Sequence, residues 1–152
     1  MANTQAMCTS FKGELLTGTH NFGTAPTRAS GAADQFKAAL YLASATINAS
    51  TTVYTTTGEV SGAPQYQPGG INVTNATPPA TASTTAYWTP SSSLVFTNVT
   101  LPTAFDCVLI YNSTQGNKAV SVHTFGSQTV TAGTFTLTMP TNGAGTALIN
   151  IA

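Results

Sequence analysis

Charge is what this chain has least of. Only eight of its 152 residues are Asp, Glu, Lys or Arg, 5% of the chain, where an average soluble domain carries about 25%. Lys12, Arg28, Lys37 and Lys118 balance Glu14, Asp34, Glu59 and Asp106 to a net charge of zero. Neutralising phosphates takes clustered Lys and Arg, so four scattered cations argue against a nucleic-acid partner. Cysteine is nearly absent too. Cys8 and Cys107 lie about a hundred residues apart, in no metal or redox spacing, and read as two buried free thiols.

Long apolar runs are missing: no window of 18 or more residues suits a transmembrane helix. The opening MANTQAMCTSFKGELL lacks the basic and apolar regions of a signal peptide. The expectation is a chain made and kept soluble, with no membrane partner. Five Asn-x-Ser/Thr triplets, at Asn48, Asn72, Asn75, Asn98 and Asn112, are discounted as glycosylation sites, because threonine makes up roughly a fifth of the chain and such triplets then arise by chance.

Catalytic and metal motifs are absent as well. Of the two histidines, His123 sits mid-strand in VSVHTF and His20 in a Gly-containing loop, neither in a GxSxG or comparable frame. The four carboxylates are far apart in sequence, which disfavours a glycosidase pair. HExxH, paired cysteines, calcium loops and Gly-rich phosphate loops do not occur. These absences predict a protein that is not an enzyme and holds no cofactor or metal.

What is present is a β-rich pattern. Met7, Phe11 and Leu15 recur every four residues, predicting a short amphipathic helix over residues 4–17 that stops at Gly18. A polar arm follows to residue 34, and FKAALYLAS opens the first strand. TTVYTTTGEVSG and GGINVTNAT read as short strands, TPPATASTTA as a loop, and AYWTPSSSLVFTNVTL as strand, turn, strand. FDCVLIYNS, a continuous apolar run, is the choice for the central strand. KAVSVHTF, a hairpin turn at Gly126-Ser127, a further turn at Ala132-Gly133, TFTLTMP and ALINIA complete the chain. Eight to ten short strands predict an all-β fold, an antiparallel β-sandwich or jelly roll with a short N-terminal helix. Residues 1–34 form the helix and extended arm, and residues 35–152 the β-sandwich, within one globular domain.

Near-zero net charge favours association, and interface cores are where charge is depleted. Strand faces such as Thr134, Thr136 and Thr138 offer methyl groups to bury and hydroxyls to hydrogen-bond. They avoid the cost of desolvating an unpaired charge. The candidate contact residues are therefore these three threonines with Met7, Phe11, Leu15, Phe22, Tyr87 and Trp88. A second use for the rings Tyr66, Tyr87 and Trp88 would be stacking on sugars.

Three stretches, MCTSFKGELLTGTHNF, FKAALYLASATINASTTVYTTTGEVSG and VLIYNSTQGNKAVSVHTFGSQTVTAGTFTLTMP, together resemble a family of small tailed-bacteriophage virion proteins. The similarity runs nearly end to end. These look like head proteins of the cement or decoration kind, β-rich and often jelly-roll, on the outer surface of an HK97-type capsid. The resemblance implies two partners, the major capsid protein and further copies of this chain as a homo-oligomer, a dimer or trimer. It transfers no residue-level site. A tail or fibre component, using the sugar-stacking rings, is the alternative.

Overall fold

The computed structural model describes residues 2–16, 18–22, 33–62, 65–74 and 77–152. Among these residues, eight strands and one helix follow in the order β1 (Ala6–Met7), α1 (Thr9–Leu16), β2 (Phe36–Leu42), β3 (Ile71–Asn72), β4 (Ala80–Ala82), β5 (Thr85–Trp88), β6 (Leu94–Asn112), β7 (Lys118–Leu137) and β8 (Ile149–Ile151). They make two antiparallel sheets, ordered β1-β7-β6-β2-β3 and β4-β5-β8. The fold is all-β with one small helix. The apolar run FDCVLIYNS lies in β6, the middle strand of the larger sheet, and Cys107 to Asn112 are buried without a break. A strand covered on both faces needs no alternation.

The N-terminal helix is shorter than its periodicity predicts. Ala6 and Met7 pair instead with Val122 and Ser121 on the edge of β7, so sheet hydrogen bonding overrides the four-residue spacing. At the helix start, the Cys8 and Thr9 amides donate to Val120 and Ala49 carbonyls. At its end Gly18 adopts φ 64, its amide donates to Leu15, and the Thr19 amide donates to Glu14. This is the 6→1 and 5→2 pattern of a Schellman cap, which requires the left-handed residue that glycine supplies.

The largest departure is β6–β7. The sequence predicts a turn at Gly126-Ser127 and another at Ala132-Gly133, yet β7 is continuous over twenty residues and pairs along β6 from Leu94↔Leu137 to Asn112↔Lys118. Ala132 (φ 45) and Asn98 (φ 52) are left-handed residues within strands, at irregularities and not at chain reversals. Register shifts recur between Phe96 and Cys107, and such bulges bend a strand. The bend is large. Ten residues of straight strand span about 33 Å, but the Phe125 and Phe135 ring centroids are 5.3 Å apart. The hairpin therefore folds over on itself, and Phe105, Phe125 and Phe135 meet in the crease.

Other short segments also differ. Among the described residues, TTVYTTTGEVSG yields only isolated bridges, Val53↔Lys118, Tyr41↔Glu59 and Gly62↔Tyr66, and GGINVTNAT only the two-residue β3. TPPATASTTA contains β4 and a tight reversal through Ser83 (φ 54) into β5. Gly70 shows why β3 can lie against β2. A Cβ there would fall 1.8 Å from the Ala38 carbonyl oxygen, and its φ is +67. Only glycine fits.

Candidate functional site

All four carboxylates of the chain are hydrogen-bonded to other parts of the chain. Glu14 takes Lys118 Nζ at 2.6 Å on Oε1 and His20 Nε2 at 2.7 Å on Oε2. Asp34, buried, accepts the Asn21 amide, Asn112 Nδ2 and Gln115 Nε2. Glu59 accepts the Tyr54 hydroxyl at 2.6 Å, the Tyr66 hydroxyl at 2.8 Å and the Gly69 amide at 2.8 Å. Asp106 accepts Asn3 Nδ2 at 2.6 Å, while Asn3 Oδ1 takes the Ile47 amide. Charge, already scarce, is used to tie loops to the sheet.

The first two of these carboxylates belong to one chain of bonds, Lys118–Glu14–His20–Asn112–Asp34, which fastens helix and arm to the β6–β7 turn. Asn112 Oδ1 accepts the Thr114 and Gln115 amides, so its Nδ2 must face His20 Nδ1, at 3.0 Å, and Asp34. A donor at that position makes Nδ1 an acceptor, and the imidazole is neutral with its proton on Nε2, given to Glu14. Burial holds His20 below the usual histidine pKa, against the opposing pull of Glu14. For Glu14, burial pushes the carboxyl up, but its bonds to Lys118 and His20 outweigh that and keep it low. Both ring nitrogens of His20 are occupied, so it has no lone pair for a substrate.

His123 has a different neighbour, the Ser121 hydroxyl at 2.9 Å from Nε2. Burial pushes its pKa down to about 4. Among the described residues no carboxylate is hydrogen-bonded to it, and Ser121 is buried, so the pair lacks the orienting acid and the open nucleophile of a hydrolase. Cys8 and Cys107 are buried and unpaired, their thiols pushed up to about 11 and about 12 by burial first, with Glu14 and Asp106 adding to it. Such thiols are unreactive. Among the described residues no three His, Cys, Asp or Glu gather as metal ligands, and no helix is long and apolar enough to cross a membrane.

The predicted contact residues fall into two groups. Phe11, Leu15, Phe22, Tyr87 and Trp88, from α1, the arm and β5, surround one apolar groove of about 380 Å³ completed by Pro78, Pro79, Ala86, Ile149 and Ile151. A neighbouring depression shares Leu15 and Ile151 and adds Met7. Within the first group, three rings are core residues and not surface. Phe11 and Trp88 are 1% and 2% exposed and Phe22 is 8% exposed, stacked on Phe36 at 4.2 Å. Phe22 also contacts Trp88. Met7, Leu15 and Tyr87 are half-buried.

The second group is Thr134, Thr136 and Thr138, all exposed, alternating with half-buried Phe135, Leu137 and Met139 as the sequence pattern predicts. None of the three threonines lines the groove. The sugar-stacking platform is not formed: Tyr66 is 3% exposed, with its hydroxyl between Glu59 and the Leu40 amide, and Trp88 is buried with its indole N–H on the Thr77 carbonyl. Sequence reasoning missed the carboxylate tethers, whose partners lie up to 104 positions away. No known protein family, characterised protein or solved structure matches this chain.

Proposed function

We propose that this chain is a structural virion protein that decorates a tailed-phage capsid of the HK97 type and stabilises it by bridging major capsid subunits. One observation carries the reading: every carboxylate is engaged within the chain, so the surface is poorer still in available charge than the composition. A neutral surface of threonine methyls and hydroxyls suits broad contact with neighbours, because nothing repels and little must be desolvated. Within this reading the chain does no chemistry, works on the outer face of the shell, and binds the major capsid protein and copies of itself. Its finer architecture would be a β-sandwich of jelly-roll type, for which the folded-over β6–β7 hairpin supplies two facing layers.

The test is titration of the purified protein onto virion shells stripped of it, followed by sedimentation across a series of salt concentrations. Decoration predicts saturable binding at a fixed ratio to the major capsid protein. It also predicts affinity that changes little with salt, since screening acts on exposed charges and few exist here. Failure to saturate, or binding lost at moderate salt, would count against it. Deleting residues 1–22 is a poor test, because it strips Phe11 and Phe22 from the core.

A further inference from the structure

Strand β7 has an open edge. On one side it pairs with β6 over its full length; on the other, among the described residues, its backbone partners sit at its N-terminal end, where Val53 bridges Lys118, the Ala119 amide donates to Thr52, the Cys8 amide donates to Val120, and β1 pairs at Ser121 and Val122. Among the described residues no strand lies beside positions 124–137, and residues 126–129, 131, 132, 134 and 136 are exposed. An edge of this length displays unpaired backbone donors and acceptors, which folded proteins ordinarily protect with Lys, Pro or inward charge. Here none of these is present: from Ala119 to the C-terminus there is no Asp, Glu, Lys or Arg, and no Pro before Pro140.

A second feature lies along the same strand. Phe125, Val130, Phe135 and Leu137 pack against the core yet remain only partly buried. The row that should close the hairpin's inner layer is incompletely covered beside the open edge.

We propose that β7 is a homotypic docking edge: residues 133–137 add in antiparallel register to the same residues of a second copy across a two-fold axis at Phe135, which sets Thr134 of one copy opposite Thr136 of the other. Such an interface is isologous, so each side chain lies near its own symmetry mate or a close neighbour. Any charge on the strand would then face like charge, and this strand has none. The edge of a second copy also supplies an equal length of unpaired backbone and sets its own apolar row beside Phe135 and Leu137. The regular stretch Phe135–Leu137, paired to Leu94–Phe96 without a register shift, is the part best shaped to receive a strand. This inference rests on the homo-oligomer part of the reading above and not on the shell.

The experiment is sedimentation equilibrium of the full chain over a wide concentration range, paired with amide hydrogen exchange at both ends of it. A dimer is expected, with amides in 133–137 gaining protection as it forms. Thr134→Lys with Thr136→Lys, both on the exposed face, should weaken dimerisation by about tenfold or more through like charges across the new pair. The monomer's circular dichroism should not change. Cysteine at both positions should cross-link the dimer, the native thiols being buried. A chain that stays monomeric overturns the proposal, as does a dimer indifferent to both lysines with 133–137 still exchanging. Protection that appears only when another virion protein is added also overturns it. A dimer formed through this edge that fails to bind shells leaves the inference standing and defeats the decoration reading.

Discussion

Phe105 and Phe135 meet edge to face, ring centroids 4.9 Å apart, although Phe105 is paired in the sheet with Gln128 and Phe135 with Phe96. The contact joins two ends of one bent hairpin. Phe105 is fully buried and Phe135 half-buried. Phe105→Ala should destabilise the chain by about 3–5 kcal/mol, the usual cost of emptying an aromatic site in a core. Phe135→Ala should cost less, and denaturant unfolding of both variants measures the difference. Equal effects would mean that the crease does not depend on Phe105.

Acid should destabilise the fold. His20 and His123 are both held below their ordinary value near 6.5 by burial, so the unfolded chain binds protons that the folded chain refuses. Their contribution is present above pH 6.5 and is lost as pH falls below it. Glu14, also held low in the fold, adds a further loss below its ordinary 4.5. Denaturation midpoints between pH 7.5 and pH 5 should fall, with a smaller drop in His20→Gln and smaller again when His123→Gln is added. Imidazole nitrogen shifts should report the proton of His20 on Nε2.

Glu59 separates the role of an acceptor from that of a charge. Glu59→Gln keeps an oxygen for the Tyr66 hydroxyl and the Gly69 amide, and the Tyr54 hydroxyl can rotate to accept from the new amide. Its expected cost is about 1 kcal/mol. Glu59→Leu strands all three donors, at about 1–3 kcal/mol for each that stays dry. Thermal unfolding of the two variants decides, and similar losses would show that the negative charge itself matters.

Gly70→Ala should be among the most damaging single methyl additions. The left-handed backbone costs about 1–3 kcal/mol for a residue with a Cβ, and the clash with the Ala38 carbonyl must be relieved by moving β3 off β2. Gly126→Ala, which meets nothing within 4 Å, is the control. A shift of the unfolding midpoint in the first and none in the second is expected.

Much of the β framework was legible because it rests on local signals. The apolar run in β6, the alternation of Thr134 to Met139 and the glycine stop at 18 each depend on side-chain period or backbone permission, which a sequence displays directly. Gly126 and Gly133 misled for the same reason, since a glycine that bends a strand at a bulge looks like one that reverses it. What could not be read was anything set by distant partners. Trp88 is core because Phe22 reaches it from another part of the chain, and Glu14, His20 and Asn112 form one tether only after the fold brings them together.

The most direct measurement is the location and copy number of this chain in an imaged virion. The account predicts hundreds of copies on the outer face of the shell, repeating with the major capsid lattice. A handful of copies at the tail or at one vertex would contradict it.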